Sequence, residues 1–323
     1  MNVHSPALAN AHLPDERTSA FAKDVIADLS QHPKRLSPKY FYDATGSELF
    51  EQITRVPEYY PTRTELGILS DRGPEIAAII PDGAALIEFG AGATTKVRLL
   101  LQSCAFKTYV PVDISGDFLN GQAAALRTDF PDLAVHPVVA DFTTSFALPE
   151  AIKDMPKVGF FPGSTIGNFE PYEACRFLRS AREILGPGAL MIVGADLEKN
   201  ERMLHDAYND AAGVTARFNL NLLVRINREL GGNFDISAFT HRAIYNREQH
   251  RIEMHLVSRK PQSVRLLGTS FAFRAGESIH TESSYKYSIE RFGALARGSG
   301  WKVKQTWTDA EKLFSVHALM AEA

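Results

Sequence analysis

LIEFGAGATTK, residues 86–96, is the stretch on which the fold turns. An apolar run leads through Glu88 into Gly90 and Gly92, and TTKVRLLLQSC follows with helical spacing. Glycines at such a turn let the backbone bend sharply into a helix and bring its N-terminus close to a ligand. A dinucleotide fingerprint places a third glycine at what is here Thr95. Without it no pyrophosphate has to rest on the helix, so the E-x-G-x-G form favours S-adenosylmethionine over a nicotinamide dinucleotide. An acidic residue closing the second strand takes the ribose hydroxyls in such sites, and Asp113 of VPVDIS stands 23 residues after Gly90. Asp141 and Phe142, closing the third strand, are placed to hold the edge and face of an adenine. Glu88, Gly90, Gly92, Asp113, Asp141 and Phe142 thus form the expected cofactor set.

Outward from this turn, KTYVPVDIS, LAVHPVVADF, KVGFFPGSTIGNF and GALMIVGADL read as further strands, with GDFLNGQAAALRTDF and YEACRFLRSAREIL as helices between them. Strands alternating with helices of this length predict an α/β fold with a doubly wound, mostly parallel sheet. The alternation stops after Leu197. Residues 199–230 read as helix interrupted at Gly213, and the stretch from HRIEMHLVSR to TESSYKYS alternates like antiparallel strands. Residues 14–60 read as helices and turns, and the C-terminal segment returns helix, strand, strand. The expected organisation is a Rossmann-like core of residues 62–198 and 287–323. A smaller α+β substrate-binding domain, residues 1–61 and 199–286, would cap the strand ends, where ligands of such sheets bind.

The chain has 323 residues, 45% of them hydrophobic, enough for one large domain or two unequal ones. A formal charge of -3 argues against nucleic acid or an anionic membrane as partner, since both leave a basic footprint. Cys104 and Cys175 are the only cysteines and lack C-x-x-C spacing, which fits a reducing compartment and excludes a thiolate zinc site. No metal site is expected, because H-E-x-x-H is absent and the ten histidines show no ligand spacing. MNVHSPALANAH has neither the basic nor the apolar region of a signal peptide, and no apolar run nears the roughly 18 residues of a membrane helix. The expectation is a soluble, cytoplasmic monomer.

HTESSYKYS, residues 280–288, sets Glu282 and Ser284 two residues apart. In an extended chain both point to one face. The pair either presents an acid and an alcohol to a ligand or belongs to an edge strand with a wet polar face.

KYFYDATGSELFEQITRVPEYYPTRTE, IEFGAGATTK, PGSTIGNFEP, AYNDAAGVTARFN, RIEMHL and TESSYKYS together resemble the EgtD family, the histidine-specific N-α-methyltransferases of ergothioneine biosynthesis. The resemblance runs from about residue 20 to the C-terminus. It implies a class I methyltransferase core with a smaller substrate domain, and transfer of three methyl groups from S-adenosylmethionine to the α-amine of L-histidine, giving hercynine. It further implies that Asn168 and Tyr208 hold the amino-acid carboxylate. Gly163 and Asn168 would lie beside the reacting amine, with Tyr42 close by. Phe50, Tyr59 and Met254 would meet the side chain, and Glu282 and Ser284 the imidazole nitrogens. Lys96 joins Gly90, Asp113, Asp141 and Phe142 on the cofactor. Departures from the family pattern are Pro162 before GSTIGN, Ser283 between the two imidazole residues, and KYS in place of KF.

Methyl transfer to an amine is an in-line displacement that needs alignment and a neutral lone pair, so no nucleophile–base constellation is required. Selectivity must come from the side-chain end, where Glu282 accepts from an imidazole N–H and is left unpaired by an apolar ring. Three alternatives remain at this stage. A family relative acting on a tryptophan derivative is disfavoured by Glu282 and Met254, and a nicotinamide-dependent oxidoreductase by Thr95. A non-catalytic adenosine-binding module would not need an intact amino-acid pocket.

Overall fold

ALIEF, β1 (Ala85–Phe89), is buried at every residue. A strand without a polar face belongs inside a parallel sheet covered on both sides. It lies there: β2 (Thr108–Asp113) flanks it on one side, and two short strands, β3 (Ala134–Val135) and β4 (Val138–Val139), pair with β2. On its other side follow β5 (Lys157–Phe161) and β6 (Leu190–Asp196). The sheet ends in β7 (Trp301–Thr308) and β8 (Phe314–Ala321), giving the order β7-β8-β6-β5-β1-β2-β3. All pairs are parallel except β7 with β8 and β8 with β6. The chain runs outward from β1 in one direction and then from β5 in the other. That reversal opens a crevice at the C-terminal strand ends, the place where such sheets bind ligands.

The computed structural model describes residues 16–92 and 94–322. MNVHSPALANAH, read above for a leader, lies outside them.

Period-two alternation sorts β1 into two cores. Ala85, Ile87 and Phe89 pack with Phe177, Leu178 and Phe292 on one face, while Leu86 packs with Leu100, Leu126 and Leu69 on the other. The helix Pro171–Leu185 shows why its segment folds locally. Pro171 opens it, Glu170 and Glu173 form a reciprocal capping box, and Ala174, Phe177, Leu178, Ala181 and Leu185 bury one stripe. Gly186 ends it with φ 88°.

The third expected strand differs from LAVHPVVADF as read. It is two short strands broken at His136-Pro137, because proline has no N–H for the ladder. Asp141 and Phe142 therefore lie in the loop beyond it. Likewise the strand in KVGFFPGSTIGNF ends at Phe161, and Thr165–Asn168 is a 3-10 turn. The expected break at Gly213 is present, with φ 65°, between the helices Glu201–Tyr208 and Val214–Leu230.

The chain forms two compact units. One comprises the described part of Met1–Ser47 with Ala216–Arg242 and His255–Thr281; the other comprises Glu48–Thr215, Ala243–Met254 and Glu282–Ala323. In the smaller unit Phe41 stacks on Phe218, and Asp43 accepts from Asn221 and Arg228. The strands Gln262–Leu266 and Thr269–Phe273 form an antiparallel hairpin whose two-residue turn, Leu267-Gly268, has positive φ at both positions. A four-stranded sheet has the order Lys34–Arg35, Ser278–Tyr285, Arg251–Ser258, Phe239–Asn246.

Candidate active site

The glycine turn after β1 is held by the neighbouring strand. The Gly90 and Ala91 amides both donate to the Val112 carbonyl, and Gly90 takes φ 76°, open to glycine at little cost. The Phe142 ring closes over it: a Cβ on Gly90 would stand 3.1 Å from that ring, whereas one on Gly92 would meet nothing. The Ala140 amide donates to the Asp113 carbonyl. Gly90, Asp113 and Phe142 thus meet at the C-terminal ends of β1 and β2 and the loop beyond β4. Asp113 accepts from the Ser115 amide, and burial raises its carboxyl above the usual range. Asp141 accepts from the Thr143 amide and hydroxyl, which turns that loop. A glycine turn, a carboxylate and an aromatic ring, the groups expected around an adenosine, converge here.

Glu88 points the other way, to the Leu86 face, where it is buried and accepts from the Tyr109 hydroxyl. Burial pushes its carboxyl up to about 8 against the Tyr109 hydrogen bond and the Lys96 charge.

Lys96 is ion-paired to Glu65 at 2.7 Å. Glu65 is 1% exposed and also receives the Gly163 amide on both carboxylate oxygens, each at 2.9 Å. One carboxylate from the helix Tyr60–Asp71 therefore ties an expected cofactor lysine to the PGSTIGN turn. That turn holds Ser164 in the left-handed region, φ 56°, with its hydroxyl accepting from the Asp196 amide. Asn168 ends the 3-10 turn; the cap of the following helix is Glu170, so Asn168 does not spend its side chain on capping.

Of the expected amino-acid residues, Phe50, Tyr59, Glu282 and Ser284 gather around Tyr208. Phe50 lies edge-on to Tyr59 and Tyr59 edge-on to Tyr208, with centroids 6.4 and 6.2 Å apart. The Tyr208 hydroxyl is 2.8 Å from Ser284 Oγ. Glu282 and Ser284 are both buried, and their strand is interior to its sheet, so the wet edge-strand alternative is overturned. Burial pushes Glu282 up to about 7, opposed by the Lys286 ammonium. Met254 is buried in one row with Ile252 and Leu256 on the strand Arg251–Ser258. Tyr42 follows the 3-10 helix Pro38–Phe41 in the smaller unit, partly exposed and edge-on to Phe218.

Sequence reasoning missed the charged groups beneath these side chains. Lys286 donates to Tyr208 Oη at 2.9 Å and Ser284 Oγ at 2.8 Å, and pairs with Asp196 at 2.8 Å. Asp196, closing β6, also accepts from Tyr60 and Lys199. The signals were present. The period that joins Glu282 to Ser284 carries on to Lys286, and Glu65 occupies an apolar-stripe position of its helix, with Pro61, Ile68 and Leu69.

Comparison with known proteins identifies the family. The profile of the family described as histidine-specific, SAM-dependent methyltransferases matches residues 21–321. The histidine N-alpha-methyltransferase of Mycolicibacterium smegmatis is 41% identical over 314 residues, covering 94% of this chain and 95% of the relative. That of Mycobacterium tuberculosis is 38% identical over 94% of this chain and 95% of the relative. Ergothioneine biosynthesis protein 1 of Neurospora crassa is 30% identical over 89% of this chain, a region that makes up 33% of the fungal protein. A match across nearly the whole chain, on a doubly wound sheet with a glycine turn at its switch point, makes the chain a member of the histidine-specific, S-adenosylmethionine-dependent methyltransferase family.

Proposed function

We propose that this enzyme methylates the α-amine of L-histidine three times to give hercynine, the first step toward ergothioneine. The observation that carries the substrate is the buried Glu282 carboxylate on one strand with Ser284, whose hydroxyl lies 2.8 Å from Tyr208. A carboxylate buried beside a hydroxyl is placed to accept from a donor on the substrate, and an imidazole N–H is such a donor.

When bound, S-adenosylmethionine supplies an electrophilic methyl group on its sulfonium. Gly90, Gly92, Lys96, Asp113, Asp141 and Phe142 bind it in our assignment, with Glu88 behind the turn. Asn168 and Tyr208 grip the substrate carboxylate, and Gly163, Asn168 and Tyr42 border the amine. Phe50, Tyr59 and Met254 enclose the ring and exclude water, which favours the neutral amine that can attack. Contacts to the amine that are few and uncharged let it rotate and grow between transfers. Residues 62–198 and 287–323 serve the cofactor and lend Gly163 and Asn168 to the amino acid, which residues 1–61 and 199–286 otherwise bind. The enzyme works as a monomer in the cytoplasm; among the described residues no helix is long and apolar enough to cross a membrane.

Purified protein with S-adenosylmethionine and L-histidine should yield the trimethylated betaine by mass spectrometry. No mass gain on histidine, with gain on another amine, overturns the substrate; size-exclusion chromatography with light scattering checks the monomer.

A further inference from the structure

Below the two hydroxyls of the amino-acid pocket lies a charge cluster that the mechanism above does not use. Lys286 has no exposed surface, and its partner Asp196 is 1% exposed. An ammonium has three protons and no lone pair. Lys286 aims them at three oxygens: the Asp196 carboxylate at 2.8 Å, Tyr208 Oη at 2.9 Å and Ser284 Oγ at 2.8 Å. Its charge also stands 4.8 Å from the centre of the Tyr208 ring.

Neutralising Asp196 does not require Lys286. Asp196 already pairs with Lys199 and accepts the Tyr60 hydroxyl at 2.7 Å. The cluster therefore holds two lysines for one carboxylate. Burying an ammonium opposes folding, and an apolar side chain in its place is often neutral or better for stability. What an apolar side chain could not do is donate to two hydroxyl oxygens at once. Because Lys286 donates to both oxygens and these lie 2.8 Å apart, one hydroxyl donates to the other and the remaining proton is turned away from Lys286 as a donor.

We propose that Lys286, anchored on Asp196, is a positioning residue that sets the Tyr208 and Ser284 hydroxyls to read the carboxylate and ring of the incoming amino acid. The inference rests on the histidine methyltransferase reading above and deepens it. The positive surplus beneath the hydroxyls suits the anionic end of the substrate, and Glu282, two residues before Ser284, supplies the opposite sign for the ring.

The test is a double-mutant cycle with Lys286→Met, which keeps length and packing. In that variant KM for histidine should rise about 10- to 100-fold, the size of losing charge-assisted hydrogen bonds, with kcat changed much less. The cofactor dissociation constant from calorimetry should stay within about twofold. In a Tyr208→Phe/Ser284→Ala background, Lys286→Met should add less than about twofold to KM, because its effect runs through those hydroxyls. An unchanged KM in the single variant, or the full penalty persisting in that background, overturns the proposal. If Lys286→Met fails to bind cofactor, Asp196→Asn carries the test: it keeps the carbonyl acceptor while loosening the anchor, and an unchanged histidine KM there also overturns it. Absence of histidine methylation by the wild type would instead remove the function itself, so the two failures are distinct.

Discussion

In the proposed assignment a single residue, Glu282, carries the choice of substrate. Its carboxyl is buried, and burial pushes it up to about 7, with Lys286 opposing the rise. It therefore changes charge near neutrality, and only the carboxylate accepts an imidazole N–H on either oxygen. Histidine affinity, measured by calorimetry with the cofactor product bound, should weaken as pH falls from 8 to 6. Glu282→Ala should weaken histidine binding about 10- to 100-fold at pH 8, because a charge-assisted bond is lost from a dry site. It should leave cofactor binding unaltered, and it should weaken less than the wild type as pH is lowered. Equal histidine binding by wild type and variant at pH 8 would refute the assignment of Glu282 to the ring.

At the level of elements, the critical contact is where the helix Tyr60–Asp71 crosses β6. A Cβ on Gly194 would lie 2.1 Å from Glu65 Oε1 and 3.1 Å from the Phe314 ring, in the middle of a buried strand. Gly194→Ala should displace the Glu65 carboxylate, and with it the hold on the Gly163 amide and Lys96. The expected cost is about 1–3 kcal/mol in urea unfolding, as for overpacked cores, with weaker cofactor binding in the folded fraction. Wild-type stability and cofactor affinity in this variant would mean that Glu65 is not fixed by the strand. The same contact explains what could be read in advance. β1 and its glycine turn were legible because an all-buried strand and a sharp turn leave local marks. The third strand was overextended because a single proline, Pro137, outweighs the β-branched residues around it. Glu65 and Lys286 were passed over because their partners are far away in sequence: Glu65 meets Gly163 at a separation of 98 residues and Lys286 meets Tyr208 at 78. Charges on an apolar stripe look like solvated exceptions until the fold supplies those partners. Glu282 and Ser284 were singled out because the family resemblance supplied a ligand that periodicity alone could not.

For the molecule as a whole, the buried ionisable groups set a conflict between stability and function. Burial raises Glu88 from 4.5 to about 8 and Glu282 from 4.5 to about 7, and lowers His317 from 6.5 to about 3. Between pH 4.5 and these raised values the folded chain holds protons that the unfolded chain has released, so stability falls as pH rises through that window. His317 acts oppositely: below pH 6.5 the unfolded chain takes up a proton that the folded chain refuses, so its contribution is lost on acidification. From pH 6.5 to 8 the two glutamates outweigh the tail of the His317 titration and the onset of that of Lys199, whose ammonium burial lowers to about 8, so the thermal midpoint of the free enzyme should fall across that interval. Glu88→Gln, which keeps an acceptor for Tyr109, should abolish most of the fall above pH 7 and raise the midpoint at pH 8. A midpoint that rises from pH 6.5 to 8, or a Glu88→Gln variant with the wild-type profile, would overturn this account. In the proposed assignment Glu282 is ionised when it accepts from the imidazole, so histidine should bind best where the empty fold is weaker. Added histidine should therefore raise the midpoint more at pH 8 than at pH 6.5, since a ligand that binds only the native state stabilises it in proportion to its affinity.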